Sequence, residues 1–75
     1  MSDSAWSQVI SKLSVEVQNE WKQYEQSRSF QSSMLCAAPG HQEILQREKF
    51  YRLIDGRVDQ AVMAEIEELL PCPTA

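Results

Sequence analysis

Long apolar runs are missing from this sequence. Nowhere do about 18 apolar residues follow one another, so no segment is expected to span a membrane. Glycine is scarce: Gly40 and Gly56 are the only two and stand far apart, so no glycine-rich loop exists to cradle a phosphate. His41 is the single histidine, and the two cysteines, Cys36 and Cys72, form no CxxC pair. A catalytic base needs a nucleophile and an orienting acid beside it. Cys36 precedes His41 closely enough to make a pair conceivable, but the simpler reading is a small residue at a helix end and a polar residue at a helix start. A metal site needs about three or four converging ligands, which these residues do not supply, and the carboxylates form no calcium loop. No catalytic, cofactor-binding or metal-ligating residue is expected, and no small-molecule substrate.

Positive charge is also in deficit. Seven Lys and Arg stand against eleven Asp and Glu, for a net charge of −4 and a pI of about 4.8. A nucleic-acid backbone is therefore a poor default partner. Arg47, Lys49, Arg52 and Arg57 scatter around a helical wheel among Glu48, Asp55 and Asp59, giving no basic stripe. The N-terminus carries an acid and no basic cluster before its apolar residues, unlike a signal or transit peptide. A reducing, cytoplasmic setting with free thiols is expected.

What is present is helical periodicity. The stretch 41–70 contains no proline and one glycine. Ile44, Tyr51, Ile54, Val58, Ala61, Val62, Ile66 and Leu69 recur at the spacing of one helix face. Upstream, Trp6, Val9, Ile10, Leu13, Val17, Trp21 and Tyr24 mark a second stripe, with Val15 off it and Asp3 or Ser4 as candidate caps. Pro39-Gly40 is the one strong interruption. These features predict an all-α chain of one domain, an antiparallel two-helix hairpin. Its helices would cover about 4–38 and 41–70, joined at 39–40, with an extended tail at 71–75. A helix of about thirty residues is roughly 45 Å long. Cys36 and Cys72 would then lie too far apart for a disulfide.

Two points stay open. Serines crowd 27–33, so the first helix either runs on to about 38 or loosens near 27–29 and restarts; continuity is favoured by the lack of Gly or Pro. Met34, Leu35 and Ala38 would stay roughly in phase and Phe30 would point away. Asp55-Gly56 is either a soft spot in a continuous helix or a β-turn; the conserved helical phase on both sides favours the helix.

More apolar residues are present than one seam requires. Phe30, Phe50, Leu53 and Met63 fall off the seam, and exposed apolar clusters usually mark interfaces. With Arg57 these are the candidate partner-binding residues. The competing reading is a bent or broken helix whose extra residues complete a compact three-helix core. On the interface reading, replacing Phe50 and Leu53 by Asp abolishes association and spares helicity. Glu65, Glu67 and Glu68 crowd the end of the second helix, where acids are mildly unfavourable, and offer an acidic tip to a basic partner.

A Trp-bearing first helix, a short turn, then EILQREKFYRLIDGRVDQAV and an acidic end resemble small helical-hairpin proteins of tailed bacteriophages and prophages. Glu48, Phe50, Tyr51 and Gly56 are the matching positions. The resemblance is one of pattern over most of the chain. It implies a non-enzymatic accessory role, as a minor virion or assembly component or an inhibitor of a host protein. It implies no catalytic or binding residue. The expected function is thus protein–protein interaction, through self-association as a dimer or larger oligomer or by docking on another protein. The alternatives are a nucleic-acid-associated regulator built as a dimeric helical bundle and a thiol-dependent enzyme or redox switch.

Overall fold

The computed structural model describes residues 2–71, and the side chains of 5–71. The chain is all-α, with no strand among the described residues. The described residues fold into five α-helices and not into a hairpin. They are α1 (Ser2–Ser11), α2 (Val15–Glu25), α3 (Arg28–Cys36), α4 (Gln42–Ile54) and α5 (Gln60–Leu69), with a 3-10 turn at Pro39–His41 before α4. The longest extent of the molecule is 34 Å. A straight helix over 41–70 would exceed it, at roughly 45 Å.

Each break has a local chemical cause. Ser14 leaves the helical region (φ −64, ψ 157) and its side chain accepts from Val17 N. Gln18 Nε2 donates to the carbonyl of Leu13 at 2.9 Å, satisfying an acceptor at the break. Ser27 repeats the device. Its backbone is extended (φ −71, ψ 152), and its hydroxyl accepts from Phe30 N at 3.2 Å while donating to Tyr24 O at 2.6 Å. Asp59 does the same for α5, accepting from Val62 N at 2.9 Å. Such caps offer the backbone an alternative to a continuous helix. Gly56 completes the set with φ 78, a left-handed geometry that ends α4. Helix 41–70 is therefore two helices, and 4–38 is three, restarting at the serine where loosening was one of the two readings. Pro39-Gly40 does separate α3 from α4, as a 3-10 turn with Pro at its start. The suggested caps Asp3 and Ser4 lie outside the described side chains, as does Cys72.

The breaks let every helix reach one core. Val9, Leu13, Val17, Trp21, Phe30, Phe50, Ile54, Ile66 and Leu70 are buried. Helix α1 packs on α5, α2 on α3 and α4, and α3 on α4. All the aromatic residues, two each of Trp, Tyr and Phe, join in one cluster centred on Trp21. Its ring lies 5.1 Å from Phe50, 5.8 Å from Phe30, 5.9 Å from Tyr24 and 6.1 Å from Trp6, which it stacks upon. Phe50 also meets Trp6 edge-on at 5.2 Å and Tyr51 at 6.2 Å. Such pairs contribute about 0.5–1.5 kcal/mol each beyond area burial. The expected seam residues do converge, with Leu13, Val17, Trp21, Ile54 and Ile66 buried and Trp6, Ile10, Tyr24, Tyr51, Val58, Val62 and Leu69 packed against them. Ile44 and Leu35 depart from it and are 40% and 84% exposed. Val15, off the stripe, is exposed as its position implied.

Beyond α5 the chain is tied to α4. Tyr51 Oη donates to Leu70 O at 2.6 Å, and Arg47 Nη1 reaches Pro71 O at 3.4 Å. Arg47 also pairs with Glu43 at 2.8 Å, one helical turn before it in α4. Lys12 and Glu65 bridge the end of α1 to α5 at 3.2 Å.

Phe50→Ala is expected to remove about 3–5 kcal/mol of stability, most of what a domain this small holds, and to abolish cooperative thermal unfolding by circular dichroism. Retention of a sharp transition would mean that Phe50 is not in the core. Gly56→Ala tests the α4–α5 break. The added Cβ meets nothing within 4 Å, so the expected loss of about 1–2 kcal/mol in urea titration is purely conformational. An unchanged midpoint would place Gly56 inside a continuous helix.

Candidate interaction surface

The partner-facing residues expected from the sequence separate into three groups. Phe30 and Phe50 are buried, 7% and 0% exposed, and belong to the aromatic cluster. They are corrected to core positions: α3 restarts at the Ser27 cap in a new phase, and the break between α1 and α2 lets Trp6 and Trp21 both meet Phe50 edge-on. Leu53 and Met63 are half-buried and packed against the core. Arg57 is exposed and pairs with Glu20 of α2. The extra apolar residues thus mainly complete the fold, as the compact reading had it.

Two concave features stand out. The larger is an open trough of about 900 Å³ bounded by α1, α2, α3, the 3-10 turn and α4. Trp6, Ile10, Trp21, Phe30, Met34 and Pro39 contribute its apolar surface. Trp21 and Phe30 are almost covered, whereas Trp6, Ile10 and Met34 keep part of their surface open and Pro39 is exposed. The rim is polar and rich in carboxamides, with Gln18, Asn19, Gln42 and Gln46 joined by Ser7, Lys22, Glu25 and Glu43. Gln42 Nε2 donates to Met34 O at 3.1 Å, and Gln46 Nε2 to Glu25 Oε2 at 3.1 Å. These bonds tie the rim together across α2, α3 and α4.

The smaller feature, about 450 Å³, is lined by Tyr24, Lys49, Arg52, Leu53, Asp55 and Arg57. Three basic residues that a helical wheel scatters are brought together here, because α4 ends at Ile54 and the link carrying Arg57 turns back. Two are already engaged: Lys49 lies over the Tyr24 ring at 5.9 Å, and Arg57 meets Glu20. Leu53 and Arg57, both expected to face a partner, share this notch.

His41 and Cys36 are exposed, flanking the α3–α4 turn. Among the described residues, no group of three or more His, Cys, Asp or Glu could hold a metal ion, and no helix is long and apolar enough to cross a membrane. The trough escaped the sequence reading because Trp6, Ile10 and Trp21 of its floor belong to the first stripe and its glutamines are divided between α2 and α4. Comparison with protein-family models, with curated proteins and with solved structures finds no match.

The two tryptophans of the chain report on the trough separately. Trp21 is 3% exposed, whereas Trp6 is only half-buried at the trough wall. Acrylamide is expected to quench Trp6 in the Trp21→Phe variant several-fold more strongly than Trp21 in Trp6→Phe. Equal quenching would mean that the trough is closed over Trp6 in solution.

Proposed function

We propose that this chain is a non-enzymatic interaction protein whose trough receives a segment of a partner protein. The observation that carries the reading is a partly open aromatic and methionine floor in a chain whose core is already complete. Trp6, Ile10 and Met34 pack against the core on one side and keep apolar surface open at the trough on the other. Aromatic and Met side chains inside a polar rim are the composition of recognition surfaces. An open trough exchanges freely with water, which favours a peptide laid along it over a small substrate enclosed in it. No cofactor is required by this reading. A cytoplasmic location in a bacterial host cell belongs to the same proposal. So does an accessory role in a bacteriophage or prophage, in the virion, in assembly or against a host protein; it rests on the sequence resemblance alone.

The three cations of the smaller notch favour a second reading, a nucleic-acid-associated regulator acting as a dimeric bundle. Binding to single-stranded DNA that falls steeply with salt would support it.

The first reading is tested with a photo-crosslinking amino acid at Asn19, exposed on the trough rim, and at Glu67, exposed on α5 away from it. In the native cells, a discrete protein adduct is expected from position 19 and not from 67. An adduct of twice the chain's mass would make self-association the use of this face. No adduct from position 19 would remove the reading.

A further inference from the structure

The trough wall has a chemical polarity beyond its apolar floor. Gln18, Gln42 and Gln46 each donate Nε2 to the protein's own acceptors: the Leu13 carbonyl, the Met34 carbonyl and the Glu25 carboxylate. None of these acceptors has a proton to give, so turning any amide over would set oxygen against oxygen. The orientation is thereby fixed, and the Oε1 ends of all three amides meet no donor among the described residues. Glu25 accepts through Oε2 from Gln46, and Glu43 through Oε1 from Arg47; the second oxygen of each carboxylate meets no donor among the described residues. Among those residues Lys22 is the one cation lining the trough.

We infer that the segment seated in this trough is a basic peptide, with an apolar side chain anchored on Trp6 and Met34 and arginine or lysine heads meeting the oxygen-rich wall. The inference rests on the reading of the trough as a docking site and specifies what docks. An incoming acceptor would lie against carbonyl and carboxylate oxygens and leave them unsatisfied as water is displaced. An incoming donor pairs with them. Guanidinium fits best, because it presents a fork of donors and also stacks on indole. The net charge of −4 steers a cation toward the chain. A second copy is a poorer occupant. Its most exposed leucine, Leu35, sits in the last turn of α3, which carries no basic residue.

The test titrates the wild-type chain with three short capped peptides, in which leucine alternates with arginine, with glutamine or with glutamate. Tryptophan emission reports the trough, since both tryptophans line it, and calorimetry reports total binding. The arginine peptide is expected to shift the emission and to bind about tenfold or more tightly than the glutamate peptide, at near-physiological ionic strength where loose surface attraction is screened. Replacing Gln18 and Gln42 by Met, with the melting curve checked, is expected to weaken it about tenfold. Equal or reversed preference among peptides that shift the emission overturns the inference and leaves the docking reading standing. Heat without a tryptophan response places the peptide elsewhere on the acidic surface and overturns it too. If no peptide binds, the inference falls, while the crosslink from position 19 judges the docking reading on its own.

Discussion

Everything in this fold depends on Trp21 being surrounded. Its indole touches the rings of Trp6, Tyr24, Phe30 and Phe50, which come from α1, α2, α3 and α4. A chain of 75 residues has little apolar material to spend on a core, and two long helices would have used it along a single exposed seam. Wrapping four helices around one large ring buries the same residues on several sides. The fifth packs on α1 and adds Ile66, with Leu70 just beyond its end, to the core that holds Val9 and Ile54.

That demand explains why the helices are short. Ser14, Ser27, Asp59 and Gly56 do not disturb otherwise good helices; they make it possible for each helix to turn its apolar face inward. An N-cap contributes about 1 kcal/mol, far less than burying an aromatic ring. The caps therefore decide where the chain bends, and the aromatic cluster supplies the reason for bending.

The helical class, the stripe residues and the separation at Pro39-Gly40 could all be read from the sequence. The breaks could not be read with equal ease, because residues before and after a bend still face a common core. Val17 and Val62 keep the phase of the stripes on the far side of Ser14 and Asp59, so periodicity alone shows no interruption. The signal was in the caps: Ser14, Ser27 and Asp59 each stand three residues before an apolar residue whose N–H they bind. Phe30 carried a second signal, since an aromatic residue out of phase is what a restart produces. Phe50 looked like surplus only while a single seam was assumed. The trough was less legible still. Its floor is visible in the sequence only as part of a stripe, and its wall depends on which way three glutamine amides point.

The pairing of α1 with α5 has a further consequence. Lys12 and Glu65 join segments separated by roughly fifty residues, a closure that costs about 3.5 kcal/mol of chain entropy plus a constant. The described chain thereby closes into a ring, with the Trp6–Phe50 contact joining α1 to α4 as well. Removing either α1 or α5 opens the joint between them. Such a ring does have an interior point at which it could be cut, the exposed α4–α5 link around Gly56. New termini there, with the old ones joined by a flexible linker, would turn the costliest closure in the fold into one of its shortest.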